Sequence, residues 1–188
     1  IISSSMLSKN LFNKNLIIID ASWYLPHERR NPFQEYKKSH IPGSFFFNID
    51  KVSKKETSLP HMLPSKSDFI KEIRRYGVNK NSKIVIYDTK GIFSATRLWW
   101  MFKFFGIDRV FILDGGFPQW KKERRIISDS IPTKKNSKIF LNENYSVLAN
   151  MKKVIKSVNN FLKKLERRTI ARSSWNNFGA VIICDNLY

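Results

Sequence analysis

Short apolar runs punctuate the chain, and several stop at an acidic residue. Leu16-Ile17-Ile18-Ile19 runs into Asp20, and Lys83-Ile84-Val85-Ile86-Tyr87 into Asp88. Val110-Phe111-Ile112-Leu113 runs into Asp114-Gly115-Gly116, and Phe45-Phe46-Phe47 is a further run. Continuous apolar runs rich in β-branched residues read as parallel strands buried on both faces. An Asp at the end of such a strand suits the carboxyl edge of a parallel sheet, where ligands collect.

Helical spacing fills the intervals. Ser65 precedes Asp68 at capping-box spacing; Phe69, Ile70, Ile73 and Tyr76 follow on one face, and Gly77 supplies the stop. Ser94 to Phe105 is apolar nearly all round through Leu98, Trp99, Trp100, Met101, Phe102, Phe104 and Phe105, which predicts a buried helix closed by Gly106. Pro118 to Arg124 predicts a short helix. Alternation of strands and helices argues for an α/β fold, here a three-layer domain over 1–125 with a mostly parallel central sheet flanked by helices. From 126 to 149 the chain turns polar, with Pro132 and one strand candidate at Ile139-Phe140-Leu141, and reads as a linker. A helix over about Asn150 to Glu166 follows, with Met151, Val154, Ile155, Val158, Phe161, Leu162 and Leu165 on one broad face.

Charge changes this picture in one region. The net charge is +19, and residues 121–168 alone hold 14 Lys/Arg against 4 Asp/Glu. Such a field attracts polyanions without sequence preference. It is equally the mark of a Lys- and Asn-rich solvated surface, and it suits a small anionic substrate. No apolar run approaches the ~20 residues of a membrane span. The first residues, Ile1-Ile2-Ser3-Ser4-Ser5-Met6, lack the pattern of a signal peptide and do not begin with Met, which suggests processing or a fragment. The single cysteine, Cys184, allows no internal disulfide, and His27, His40 and His61 are widely spaced. No metal and no cofactor are expected, and a reducing interior, most simply the cytoplasm, is the expected location.

Six pieces in order carry a resemblance. They are Asp20-Ala21-Ser22-Trp23-Tyr24-Leu25-Pro26, then His40-Ile41-Pro42-Gly43-Ser44 followed by Phe45-Phe46-Phe47-Asn48-Ile49-Asp50, and Leu59-Pro60-His61-Met62-Leu63-Pro64. Val85-Ile86-Tyr87-Asp88, Phe93-Ser94-Ala95-Thr96-Arg97-Leu98-Trp99-Trp100-Met101-Phe102 and Leu113-Asp114-Gly115-Gly116-Phe117-Pro118-Gln119-Trp120 complete the set. Together they resemble the first domain of the tandem-domain rhodanese family, the thiosulfate and 3-mercaptopyruvate sulfurtransferases.

The resemblance implies a rhodanese-like fold for 1–125 and a loop that follows a buried strand, its backbone N–H groups pointing inward. It implies that Asp88 stands where the family's active copies carry the sulfur-accepting cysteine. The loop would be Thr89-Lys90-Gly91-Ile92-Phe93. A carboxylate cannot hold a transferable sulfane sulfur, so the domain is expected to be a non-catalytic copy. The resemblance also implies that Asp50 and His61 reach across toward the active loop of a second domain and assist there. Thr169-Ile170-Ala171-Arg172-Ser173 is similar to the opening of that second domain, without its Asp; from Trp175 onward no match is found, so 150–188 is expected to be a helix and a truncated start. Cys184 ends a strand-like run but lacks a following loop and helix, and is expected to be incidental. Arg97, in the first turn of a buried helix, is expected to form a structural ion pair, with Asp88 as a candidate partner. His40 is expected to be a turn residue before Pro42.

Three functions therefore compete: a sulfurtransferase domain inactive without its catalytic partner, a stand-alone anion-binding or regulatory module, and a basic nucleic-acid-associated protein. The expected partners are a small anionic sulfur donor once a catalytic domain is supplied, the second rhodanese domain itself, and nonspecific polyanions, with no membrane. The charge count predicts weak polyanion binding through 121–168 that falls steeply with salt. Titration with heparin and with two unrelated oligonucleotides, at 50 and 300 mM salt, tests this; sequence discrimination or salt resistance would contradict it.

Overall fold

A computed structural model of the chain describes residues 1–54, 57, 59–133, 135–149 and 151–169, with side chains of the last helix described over 152–163. It divides into two compact units, Ile1–Asn144 and Tyr145–Tyr188.

Four parallel strands build the first unit: β1 (Leu16–Asp20), β2 (Phe45–Phe46), β3 (Lys83–Tyr87) and β4 (Val110–Ile112), in the order β2-β1-β3-β4. Each coincides with one of the apolar runs. Successive residues of a strand face opposite sides of the sheet, and both sides here are covered. On one side Ile18, Val85 and Tyr87 pack with Leu7, Ile41, Phe117 and Trp120. These partners come from α1 (Ser4–Ser8), the segment after α2 (Pro32–Lys38), and α6 (Gly116–Lys122). Ile17, Ile19, Ile84 and Ile86 alternate with that set and are also buried. The other layer holds α3 (Ile49–Val52), α4 (Lys66–Arg74) and α5 (Ala95–Phe104). The Phe69 ring joins α4 to α5, its centroid 5.2 Å from Phe102 and 4.5 Å from Phe105. The fold is the expected three-layer α/β arrangement. Ile2 adds a bridge to Leu113 beyond the end of β4.

The helix of Ser65 begins as its cap spacing requires: the Ser65 hydroxyl accepts from Asp68 N at 3.1 Å and donates to the Asp68 carboxylate at 2.6 Å. Helices α1, α2 and α3 have seven residues or fewer and carry too short an apolar period to be read from sequence.

The polar stretch after 125 divides between the units. Residues 126–144 lie with the first. His40 and Ser128 exchange backbone hydrogen bonds at 2.8 and 2.9 Å, and Lys135 N donates to the Arg75 carbonyl at 2.9 Å. Arg74 Nε donates to the Ser137 carbonyl at 2.7 Å, and the Ser137 hydroxyl to the Val78 carbonyl at 2.5 Å. The strand expected at Ile139-Phe140-Leu141 is absent. Leu141 alone is buried, while Phe140 is 95% exposed, so the segment is tacked to the domain by single contacts rather than by a ladder.

The second unit contains a short 3-10 turn (Tyr145–Val147) and α7 (Met151–Thr169). Ile155, Val158 and Leu162 on the predicted apolar face are exposed. The resemblance expected at 170–173, the mismatch from Trp175 and Cys184 fall outside the described residues. No helix among the described residues is long and apolar enough to cross a membrane.

Phe69 is completely buried between two aromatic rings. Phe69→Ala should therefore cost about 3–5 kcal/mol, read as a lower urea midpoint with an unchanged slope.

Candidate functional site

Asp20 and Asp88 end neighbouring parallel strands, and both are buried at the carboxyl edge of the sheet. The Asp88 carboxylate turns into its own loop. One oxygen accepts from Lys90 N at 2.9 Å; the other accepts from Phe93 N at 2.7 Å and Ala95 N at 2.9 Å. Ala95 opens α5, so the carboxylate also meets the positive end of that helix. The inward-facing N–H groups expected of this loop are present, and the side chain at the loop's first position consumes them. The ion pair expected between Asp88 and Arg97 does not form. Backbone N–H groups satisfy Asp88, and the Arg97 guanidinium donates to the His61 carbonyl at 2.7 Å and lies over the Trp100 ring.

The loop is laced to the segment that follows β1. Thr89 N donates to the Ser22 hydroxyl at 3.1 Å, and Trp23 N donates to the Ser94 hydroxyl at 3.2 Å. The Tyr24 hydroxyl donates to Glu35 at 2.6 Å, accepts from Arg30 at 2.7 Å and lies 2.6 Å from the Thr89 hydroxyl. Lys90 Nζ pairs with Glu28 at 2.6 Å. From the far side, Phe117 N donates to the Asp88 carbonyl at 2.9 Å. Gly116 makes this approach possible: a Cβ there would lie 2.5 Å from the carbonyl oxygens of Asp88 and Gly91.

The electrostatics follow from burial and pairing. Lys90 holds the Glu28 carboxyl below its usual range, and Arg30 does the same for Glu35. Burial raises Tyr24, helped by Glu35, and raises Tyr87. Burial pushes Asp20 up to about 6, opposed by hydrogen bonds from Ser22 and Tyr87.

Asp50 and His61, expected as a pair, meet. His61 Nε2 lies 2.7 Å from Asp50 Oδ1. A carboxylate only accepts, so Nε2 carries a proton and donates it to Asp50. His61 has a positive φ of 56°, and its ring packs edge-on against Trp23, with centroids 4.7 Å apart. Trp23 in turn stacks on Phe93 of the Asp88 loop at 6.5 Å. The loop, an indole and the Asp–His pair thus form one continuous surface. His40 lies elsewhere and is fully buried. Its Nδ1 is 2.7 Å from the Tyr36 carbonyl and its Nε2 is 3.2 Å from the Ser130 carbonyl, so it ties the end of α2 to the 128–130 segment.

The sequence assigns no site role to Glu28 and Arg30, and Ser22, Tyr24 and Ser94 enter only as members of the motifs. An Asp-x-Ser turn was legible at Asp20, where Ser22 N donates to Asp20 Oδ1 at 2.8 Å. The contacts of Tyr24 and Ser94 with residues more than sixty positions away left no local signal. Among the described residues, no group of three His, Cys, Asp or Glu side chains is placed to hold a metal ion.

Comparison with known proteins gives a consistent picture. A family profile described as a Rhodanese-like domain matches residues 3–123. The thiosulfate/3-mercaptopyruvate sulfurtransferase 1 (mitochondrial) of Arabidopsis thaliana is 49% identical over 121 residues, covering 64% of this chain and 32% of its own length. The 3-mercaptopyruvate sulfurtransferase of Escherichia coli K12 is 37% identical over 129 residues, 68% of this chain and 46% of its own length. The crystal structure of SseA, the E. coli 3-mercaptopyruvate sulfotransferase, superimposes with a TM-score of 0.76 at 31% identity, covering 83% of this chain and 60% of that one. The chain thus spans about a third to a half of the length of these two curated relatives.

The raised Asp20 carboxyl makes stability depend on pH. The folded state holds the proton up to about 6, against an ordinary value of 3.8. The neutral carboxyl's contribution is complete below 3.8 and is lost as pH rises through about 6. The loss is on the order of 3 kcal/mol. Asp20→Asn should remove this dependence, so the variant gains relative to wild type between pH 4 and pH 7. Paired urea titrations at the two pH values read the difference; a constant gap would refute it.

Proposed function

The chain belongs to the rhodanese-like domain family, and we propose that residues 1–125 are a non-catalytic copy of the domain that serves sulfur transfer at a cysteine loop located elsewhere. The observation that carries this reading is the Asp88 carboxylate, which fills the ring of N–H groups from Lys90, Phe93 and Ala95. Sulfur transfer needs a thiolate that attacks the sulfane sulfur of a donor, expels the rest of the donor, and then passes the sulfur to an acceptor. Asp88 offers oxygen in place of sulfur. It also denies the N–H groups to any incoming anion. The stand-alone anion-binding module is therefore the weaker alternative at this loop.

The domain's contribution is the surface beside the loop. Trp23, Phe93 and the Asp50–His61 pair are proposed to face a catalytic rhodanese domain, with thiosulfate or 3-mercaptopyruvate as the small anionic donor. With Nε2 held by Asp50, His61 is oriented so that its neutral form could relay a proton through Nδ1 to a donor or hydroxyl group. The proposed partner is a second rhodanese domain. Nonspecific polyanion contact is a secondary property of the basic surface. A reducing compartment fits the single cysteine. The cytoplasm meets this requirement, although one Arabidopsis relative is named mitochondrial.

Two linked measurements test the reading. The chain by itself should form no thiocyanate from thiosulfate and cyanide, and Cys184→Ser should change nothing; turnover abolished by that substitution would overturn the proposal. In the Cys184→Ser background, Asp88→Cys should place a thiolate in the same N–H ring. Its ultraviolet titration should then fall well below the ~8.5 of free cysteine. A midpoint at or above that value would mean the ring does not stabilise an anion.

A further inference from the structure

The opposite edge of the sheet carries a second, unrelated cleft. About 540 Å³ opens at the amino-terminal ends of β3 and β4, lined by Lys80, Ser82, Arg109, Lys138 and Phe140, among others. This volume lies within the range of small-molecule sites.

Its charge is unbalanced. The one carboxylate in the lining, Asp108, is held by Lys103 Nζ at 2.9 Å. Among the described residues Lys80 and Lys138 make no ion pair, and Arg109 NH1 makes only a 3.4 Å bond to the Asn81 carbonyl. Three cations thus line one cleft against a single carboxylate, Asp108, which already pairs with Lys103.

The aromatic wall is equally specific. The segment bearing Phe140 is pinned on both sides: by the Ser137 hydroxyl on the Val78 carbonyl at 2.5 Å, and by Asn144 N on the Phe104 carbonyl at 2.6 Å. Leu141 enters the core, so its neighbour Phe140 faces out, 95% exposed. Gly106, with φ +78°, lets this segment approach the end of α5; a Cβ there would lie 2.6 Å from the Asn142 carbonyl oxygen. The backbone that carries the ring is thus anchored on both sides of it, and the exposed ring lines the same cleft as Lys80, Arg109 and Lys138.

We propose that this cleft binds a nucleotide, with the phosphate at Lys80, Arg109 and Lys138 and the base against the Phe140 ring. Flat π-faces stack on exposed aromatics with little regard to base identity. Lysine and arginine supply donors to phosphate oxygens. The nucleotide is either free or one unit of a single strand, and the chemistry is the same. The site does not share a residue with the Asp88 loop, so it stands or falls apart from the sulfur-transfer reading.

Calorimetric titration of the full chain with AMP, adenosine, inorganic phosphate and a single-stranded adenylate decamer tests it. AMP should bind more tightly than adenosine or phosphate. Phe140→Ala should weaken AMP roughly tenfold or more, with an unchanged melting temperature because the ring is solvent-exposed. Arg109→Ala with Lys138→Ala should erase the advantage of AMP over adenosine. Tighter binding of the decamer, still lost with Phe140→Ala, would identify a single strand as the source. The proposal is overturned by three results: no AMP binding, phosphate binding as tightly as AMP, or decamer binding indifferent to Phe140.

Discussion

A buried carboxylate coordinated by its own loop organises the carboxyl edge of this domain. The N–H groups of Lys90, Phe93 and Ala95 all point to one spot, and Asp88 fills it. A buried N–H group without a partner costs roughly 1–3 kcal/mol. A loop of this shape therefore needs an acceptor at its centre to be stable. Here the acceptor is the chain's own carboxylate, which meets all three donors at once.

Much of the surrounding architecture exists to keep that loop closed. Gly116 lets α6 reach the Asp88 carbonyl, where any side chain would collide with backbone. Ser22 and Tyr24 hold Thr89, while Glu28 holds Lys90. The charged groups along this part of the edge are already matched, Arg30 to Glu35 and Lys90 to Glu28. What it presents outward is an aromatic and imidazole surface running from Phe93 through Trp23 to His61. The two edges of the sheet thus differ in kind. The N–H groups of the Asp88 loop are spent on the loop's own carboxylate, whereas Lys80, Arg109 and Lys138 at the amino edge make no ion pair among the described residues.

The sequence by itself determined the four strands, the helices α4 to α7 and the three-layer arrangement, because long apolar runs and helical periods are local signals. It also placed Asp88 at a strand end and, through resemblance, paired Asp50 with His61. The tertiary structure decided what these residues do to their neighbours. The carboxylate of Asp88 met backbone N–H groups instead of Arg97, since a folded loop brings donors that carry no side-chain signature. Helices α1 to α3 span only four to seven residues and carry no repeated apolar period. The Ile139-Phe140-Leu141 run reads as a strand in sequence, but only Leu141 of the three is buried and no ladder forms. Whether an apolar residue enters a core or faces solvent depends on which surface the chain crosses, and periodicity over three residues cannot record that.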